Sequence, residues 1–216
     1  MYSFFNKELL YRAFSVIIFI PIAIIPLFFS KYLSVIIYLL FASIIIDELN
    51  RIKKNLSKNI LFYKIYIIIA VSSFLLFLFL LITEYVPVFL LLSIIIVIWS
   101  FDTFSYVGGK LIGGKKLIPH ISSGKTISGL ISGILMAIII SKVIFDCIGV
   151  DKEFSLAYVI LIITIAFAGD TLVSVFKRLA SIKDSGNIMP GHGGLLDRFD
   201  SFILVFFIFG IYKLVI

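Results

Sequence analysis

Long apolar runs separated by short polar stretches are the dominant pattern along this chain. A membrane-spanning helix needs about 20 mostly apolar residues, and seven runs approach or exceed that length. They lie near residues 9–29, 32–46, 60–82, 86–106, 127–145, 154–176 and 197–216. The second run is short and Ser72 and Ser73 interrupt the third, so between six and nine spans fit the pattern. The pattern predicts an all-α, polytopic membrane helix bundle with about seven transmembrane helices.

The composition excludes a soluble domain. Of the 216 residues 62% are hydrophobic and 14% are charged, whereas a globular domain has about 45–50% apolar and about 25% charged residues. A single core in a chain of this length cannot bury that much apolar surface, and the lone Cys147 has no second cysteine for an internal disulfide. The first apolar run contains Pro21 and Pro26 and lacks a small-residue cleavage site, so we interpret it as a retained span rather than a signal peptide.

The basic residues predict the orientation of the bundle. With seven alternating helices, 15 of the 19 Lys and Arg residues fall on the side of the N-terminus. Lysine and arginine are enriched in cytoplasmic loops, so we expect the N-terminus on the cytoplasmic side and the protein in the cytoplasmic (inner) membrane. These 15 residues are Lys7, Arg12, Arg51, Lys53, Lys54, Lys58, Lys64, Lys110, Lys115, Lys116, Lys125, Lys177, Arg178, Lys183 and Arg198.

Two acidic residues lie inside the predicted spans, each after a continuous apolar stretch. Asp102 follows the run that ends at Ser100, and Asp170 lies seven residues before Lys177. At 1.5 Å of rise per residue, Asp170 lies roughly 10 Å inside the cytoplasmic boundary. An acid at that depth is a functional-site hypothesis by default; the alternative is a structural carboxylate that a neighbouring lysine neutralises.

Helical spacing groups these acids with other polar residues. Asp170 shares one helix face with Ser174 and Lys177, and Asp197 shares another with Asp200 and Ser201. If the two faces meet, Asp170 and Asp197 would offer carboxylate oxygens to a divalent cation. Oxygen ligands of this kind suit Mg²⁺, which also takes substrate phosphates as ligands.

Two glycine-rich cytoplasmic loops complete the polar side. In Gly191-His192-Gly193-Gly194, glycine lets the backbone approach a ligand, so we expect amide groups directed at phosphate oxygens. His192 alone is weak evidence, because a lone loop histidine is more often structural. Gly124-Lys125-Thr126 matches the last three residues of the P-loop motif. That motif also requires glycine five residues before Gly124, and this chain has Pro119 there. We interpret the segment as a lysine-rich loop able to hold a polyphosphate; a solvated basic loop is the alternative.

The segment from Ser174 to Asp200 resembles the C-terminal signature of the phosphatidate cytidylyltransferase (CDP-diacylglycerol synthase) family. The run from Asp102 through Tyr106 to Gly129 resembles the other characteristic loop of that family. The chain departs from the family pattern at Ser123, where proline is usual, at Ser128, where an acid is usual, and at Met189. The signature positions are Ser174, Lys177, Arg178, Lys183, Asp184, Gly186, Pro190, Gly191, His192, Gly193, Gly194, Asp197, Arg198 and Asp200.

The resemblance implies transfer of a cytidylyl group from CTP to phosphatidic acid, which gives CDP-diacylglycerol and pyrophosphate. It implies N-terminal transmembrane helices over 1–84 and a catalytic transmembrane domain over 85–216 with cytoplasmic loops 107–126 and 177–196. It also implies Mg²⁺ as cofactor, leaves open a second, monovalent cation, and suggests a homodimer.

The same resemblance implies roles for individual residues. Asp170 and Asp197 would bind Mg²⁺, with Asp200 and Asp184 as supporting acids and Ser174 as a polar neighbour. The basic residues that would neutralise phosphates are Lys177, Arg178, Lys183 and Arg198. The nucleotide pocket would be shaped on one side by Gly191, His192, Gly193 and Gly194, and on the other by Asp102, Tyr106, Lys110 and Lys125.

Three other functions are alternatives to this one. A CTP-dependent lipid kinase of the dolichol-kinase type would use the same nucleotide, but the full signature from His192 to Asp200 favours the cytidylyltransferase. A transporter would place polar residues toward the far side of the bundle, where the spans are almost wholly apolar. The Asp-Gly-x2-Ala-Arg pattern of a CDP-alcohol phosphatidyltransferase is absent from the sequence.

Overall fold

The computed structural model describes residues 7–56, 61–148, 155–189 and 193–215. The chain divides into two compact units. One comprises Met1–Val88 together with Phe176–Ile216, and the other comprises Phe89–Val175. The last helix therefore groups with the N-terminal helices, although more than 80 residues separate them in sequence. The predicted functional division at residue 84 remains a prediction.

Seven helices run through the described residues, as the hydrophobic pattern predicts. Five of them are long and apolar enough to cross a membrane, which confirms an all-α polytopic membrane protein. In α1 the apolar stretch Ile18–Phe29 is shorter, and α7 carries four charged residues. The helices are α1 Lys7–Phe29, α2 Lys31–Asn55, α3 Leu61–Thr83, α4 Val88–Leu111, α5 Ile127–Ile148, α6 Leu156–Leu179 and α7 Leu196–Val215; α2 to α6 are the five.

The boundaries correct several sequence expectations. Helix α2 extends nine residues beyond the predicted end at 46, because the buried stripe of Ile45, Leu49 and Ile52 continues at helical spacing. Helix α3 runs unbroken through Ser72 and Ser73. Within the predicted loop 107–126, α4 continues to Leu111, and two antiparallel strands follow, β1 Lys116–Ile118 and β2 Ser122–Thr126.

The first unit has an aromatic core between α2, α3 and α7. The Tyr38 ring lies 4.6 Å from that of Phe77, whose ring lies 4.9 Å from that of Phe206. Helices α3 and α7 approach closely at Gly210, where a Cβ atom would lie 2.7 Å from the Leu76 Cβ. This packing fixes the position of α7 against the N-terminal helices.

An ion pair joins one end of α2 to one end of α3. The Lys31 ammonium lies 2.7 Å from the Glu84 carboxylate, and both side chains are exposed. The hydrogen bond and charge of Lys31 lower the pKa of the Glu84 carboxyl. Because Lys31 begins α2 and Glu84 follows the end of α3, the two helices are antiparallel.

In the second unit, small residues bring α4 and α5 into close contact. Ser132 donates to the Phe104 carbonyl at 3.2 Å, and a Cβ atom on Gly133 would lie 2.9 Å from the Phe101 carbonyl oxygen. The Thr126 hydroxyl accepts from the Gly129 amide at 3.0 Å and so caps the start of α5. The lysine-rich segment is therefore a short hairpin attached to a helix N-terminus.

Candidate functional site

Asp197 lies in the first turn of α7, and both of its carboxylate oxygens are engaged. Lys177 donates to Oδ1 at 2.6 Å, and the backbone amides of Ser185 and Gly194 both donate to Oδ2 at 2.9 Å. The side chains of Lys177 and Asp197 are 10% and 9% exposed. The structure thus brings together Lys177 and Asp197, which sequence analysis assigned to one site.

The connection between α6 and α7 folds back to make these contacts. Ser181 turns the chain after α6 with a φ of 56°, and the Ile182 amide donates to the Lys177 carbonyl at 2.9 Å. Before α7, the Met189 amide donates to the Gly193 carbonyl at 2.9 Å. Gly193 has a φ of 83°, and a Cβ atom there would lie 2.6 Å from the Asp197 Oδ2. Glycine is required at this position by both conformation and space.

Glu48 on α2 joins this cluster and was missed by sequence analysis. It is 1% exposed, and its carboxylate accepts from the Ser185 hydroxyl at 2.8 Å, the Leu195 amide at 2.9 Å and the Leu196 amide at 2.8 Å. The two amides belong to the start of α7, where backbone donors lack helical partners. A carboxylate from another helix therefore caps α7.

Of the glycine amides expected to face phosphate, that of Gly194 donates to a carboxylate of this chain instead. The amides of Gly194, Leu195 and Leu196 donate to carboxylates of this chain, to Asp197 in the first case and to Glu48 in the other two. Negative charge at a helix N-terminus is favourable, and here Glu48 supplies it. These three amides therefore already have acceptors within the chain, and a phosphate bound beside them would need other donors.

Asp170 lies in the second unit and has its own lysine. The Lys125 ammonium lies 3.0 Å from the Asp170 Oδ2 and donates to the Thr171 hydroxyl at 2.9 Å. It also lies 4.5 Å from the centre of the Phe167 ring, a cation–π contact. Ser174 donates to the Asp170 Oδ1 at 3.3 Å, as their spacing of four residues predicts. The Asp170 side chain is 29% exposed.

The other predicted residues are placed as follows. Arg178, Lys183 and Asp184 are exposed, as are Asp102, Tyr106 and Lys110; the Lys110 ammonium lies 5.8 Å from the Tyr106 ring centre. Asp200 is buried and accepts from the Ser201 amide at 2.8 Å, and Arg198 is half-buried. Gly191 and His192 lie outside the described residues, so their assignment to the nucleotide pocket stays a prediction.

The carboxylates suit a hard cation. Asp170 and Asp197 each hold a lysine ammonium at 3.0 Å or less, and carboxylate oxygens are ligands that Mg²⁺ prefers. No group of three or more His, Cys, Asp or Glu side chains with metal-binding geometry occurs in the part of the chain described here. One or two carboxylates are enough for Mg²⁺ when substrate phosphates complete its shell. Metal binding remains an expectation from the sequence.

Fold and side chains together define a polytopic membrane protein in which acids of α6 and α7 pair with lysines, the features expected of an enzyme that handles phosphates. The model of the Cytidylyltransferase family matches residues 3–216. The chain belongs to that family.

Individual relatives agree with the family match. A phosphatidate cytidylyltransferase from Rickettsia conorii is 35% identical over 211 residues, which cover 94% of this chain and 90% of that protein. One from Rickettsia bellii is 48% identical over 128 residues, 54% of this chain and 55% of that protein. One from Bacillus subtilis is 42% identical over 116 residues, 51% and 42% of the two chains. The chain thus spans about half the length of the last two relatives.

Proposed function

We propose that this protein transfers a cytidylyl group from CTP to phosphatidic acid and forms CDP-diacylglycerol and pyrophosphate. The observation that carries the proposal is the family match over residues 3–216, together with relatives named phosphatidate cytidylyltransferase. The acids of α6 and α7 that pair with lysines support it. A membrane enzyme suits this reaction, since one substrate is a lipid and the other is soluble in water.

The chemistry brings two anions together. An oxygen of the phosphatidate phosphate attacks the α-phosphorus of CTP, the bond from that phosphorus to the bridging oxygen breaks, and pyrophosphate leaves. The attacking phosphate is already anionic at neutral pH, so the protein supplies no general base. Its task is to hold the reactants in line and to balance their charge.

Basic side chains of this chain provide that balance. Lys125 and Lys177 lie beside Asp170 and Asp197, where each carboxylate orients the ammonium group. Arg178 in the last turn of α6, Lys183 in the connection after it and Arg198 in the first turn of α7 add positive charge and would bind the phosphates of CTP or of departing pyrophosphate. Asp170 and Asp197, with Asp200, would hold Mg²⁺, which when bound withdraws charge from phosphate oxygens.

The proposal includes a location and an assembly. The positively charged ends predict that the site faces the cytoplasm at the inner membrane, where CTP is available. The family resemblance supports a homodimer, which size-exclusion chromatography with light scattering in detergent would test.

Labelled CTP tests the reaction directly. Purified protein in detergent is incubated with phosphatidic acid, Mg²⁺ and CTP labelled either at the α- or at the γ-phosphate. We expect the α-label in lipid and the γ-label in released pyrophosphate. In a parallel incubation with a lipid alcohol in place of phosphatidic acid, label from the γ-phosphate in lipid would instead identify a CTP-dependent lipid kinase, and no labelled lipid in either incubation would refute both enzymes.

Two single substitutions test the proposed site residues. Asp170→Asn and Asp197→Asn keep side-chain size but remove the charge, so we expect loss of at least about a hundredfold in kcat. Asp197→Asn can still accept from the Ser185 and Gly194 amides through its carbonyl oxygen, but it leaves the Lys177 ammonium without its charge partner, so kcat is compared per folded molecule. Asp146→Asn, on an exposed acid of α5, is the matched control and should keep normal turnover. Normal turnover in both site variants would contradict the assignment.

A further inference from the structure

We propose that Glu48 is a positioning residue that fixes the carboxylate of Asp197, through Ser185 and the N-terminus of α7. Its catalytic part rests on the proposed function. Glu48 belongs to α2, 149 positions before Asp197, and none of the sequence motifs includes it. Its burial and its three donors from one short segment point to a role in shaping that segment.

Ser185 connects the two carboxylates through a single residue. Its hydroxyl donates to the Glu48 Oε2 at 2.8 Å, while its backbone amide donates to the Asp197 Oδ2 at 2.9 Å. Ser185 itself is 4% exposed, so water has little access to either bond. Any change in the Glu48 acceptor therefore shifts the peptide that orients Asp197.

The start of α7 provides a second connection. Glu48 accepts from the Leu195 and Leu196 amides, and Asp197 accepts from the Gly194 amide. Three consecutive amides are thus divided between the two acids. This division sets the rotation of the first turn of α7 and so the direction of the Asp197 side chain toward Lys177.

Close glycines show that the segment is shaped around Glu48. A Cβ atom on Gly186 would lie 2.5 Å from the Glu48 Oε1, and one on Gly194 would lie 2.5 Å from Oε2. Sequence analysis assigned Gly194 to the nucleotide pocket. In the structure, the absence of a side chain at Gly194 makes room for the Glu48 carboxylate. Its three donors, Ser185, Leu195 and Leu196, are not residues predicted to bind substrate, so we expect Glu48 to act through Asp197.

Glu48→Gln tests the proposal with little change in shape. An amide nitrogen cannot accept from Ser185 or from the α7 amides, so at least one of the three bonds is lost. We expect kcat per folded molecule to fall about tenfold to a hundredfold, as for loss of residues that orient a ligand, with KM for phosphatidic acid within about twofold. Asp47→Asn, on the exposed neighbour, should leave kcat unchanged. A Glu48→Gln protein that folds and has normal kcat would overturn the proposal.

Ser185→Ala separates positioning from folding. It removes only the hydroxyl link and keeps the two bonds from Glu48 to the α7 amides, so the variant should fold even if Glu48→Gln does not. We expect a lower kcat in Ser185→Ala, and in the double variant a loss smaller than the product of the two single losses. Independent, multiplying losses in the double variant, or normal kcat in Ser185→Ala, would contradict the connection.

Hydrogen exchange followed by mass spectrometry gives a measurement that does not depend on the reaction. In Glu48→Gln, or in Ser185→Ala where the former does not fold, the peptide covering 183–197 should exchange faster than in the parent, while Asp47→Asn leaves it unchanged. Unchanged exchange would refute the role of Glu48 even in an active enzyme. If the variant exchanges faster and the parent protein shows no cytidylyl transfer, the structural connection is upheld and the proposed function is refuted.

Discussion

Asp197 and Lys177 form an ion pair with little access to water. The two side chains are about one-tenth exposed, and their charged atoms lie 2.6 Å apart. Two backbone amides also donate to Asp197, so both of its carboxylate oxygens have donors within the chain. Removal of one partner of such a pair leaves an uncompensated charge, which is more costly than the pair itself is stabilising.

We predict that Lys177→Met lowers the free energy of unfolding by about 3 kcal/mol, as expected when a buried pair loses one partner. The methionine keeps most of the apolar stem but leaves Asp197 with only its amide donors. Unfolding of purified variants in detergent, followed by circular dichroism against temperature, would measure the loss.

Two comparisons make this prediction specific. Lys116→Met changes an exposed lysine of the hairpin and should alter stability by less than about 0.5 kcal/mol. The double variant Lys177→Met with Asp197→Asn removes both charges and should regain part of the lost stability. If Lys177→Met unfolds like the parent, the ion pair is not the stabilising contact described here.

At the residue scale, sequence reasoning found Lys177 and Asp197 but not Glu48. Helical spacing and the signature placed the first two near one another. Glu48 is not among the predicted residues because the second apolar run is predicted to end near residue 46, although Ile45, Leu49 and Ile52 continue the buried stripe of α2. A helix drawn to residue 55 would have put an acid on a buried face. Its partner Leu195, 147 positions away, has no local signal in the sequence.

At the element scale, hydropathy located the helices well and their ends poorly. Polar helical turns such as the end of α2, or the last residues of α6, resemble loops in composition but continue the hydrogen bonding of the helix. The close contact of α4 and α5 depends on glycines, which let helix backbones approach one another. The sequence shows those glycines but not their partners.

We predict that Gly133→Ala loosens the contact of α5 with α4. The new methyl group would meet the Phe101 carbonyl oxygen at 2.9 Å and would also overlap the Ser105 hydroxyl. Overpacking of this kind costs about 1–3 kcal/mol. The Phe101 carbonyl is part of the helix backbone and cannot rotate away from the new methyl group. Thermal unfolding in detergent should show a lower midpoint for this variant.

Gly124→Ala serves as the control for this substitution. A Cβ atom at Gly124 would meet nothing within 4 Å, so its midpoint should match that of the parent. Equal midpoints for Gly133→Ala and Gly124→Ala would show that α4 and α5 do not pack through Gly133.

For the whole molecule, composition was enough to identify a polytopic membrane protein but not to group its helices. Helix α7 joins α2 and α3 in one compact unit, and its aromatic side chains interdigitate with theirs. All seven helices are apolar, so hydropathy alone gives no preference for one neighbour over another. The distribution of basic residues adds a prediction about orientation, which concerns every helix at once.

We predict that the end of α2 bearing Lys53 faces the cytoplasm and the end of α3 bearing Glu84 faces the opposite side. Because α2 and α3 are antiparallel, with Lys31 paired to Glu84, Lys53 and Glu84 mark opposite ends of the same helix pair. Each is replaced by cysteine in a Cys147→Ser background, where no other cysteine remains. A maleimide that cannot cross membranes should then label Glu84→Cys in intact spheroplasts and Lys53→Cys only after permeabilisation.

The exposed Lys31–Glu84 pair contributes little to stability, so its loss should not change the topology. The reverse labelling pattern would place the basic loops, and with them Lys177 and Asp197, on the side away from cytoplasmic CTP, and neither the orientation nor the proposed reaction would then survive.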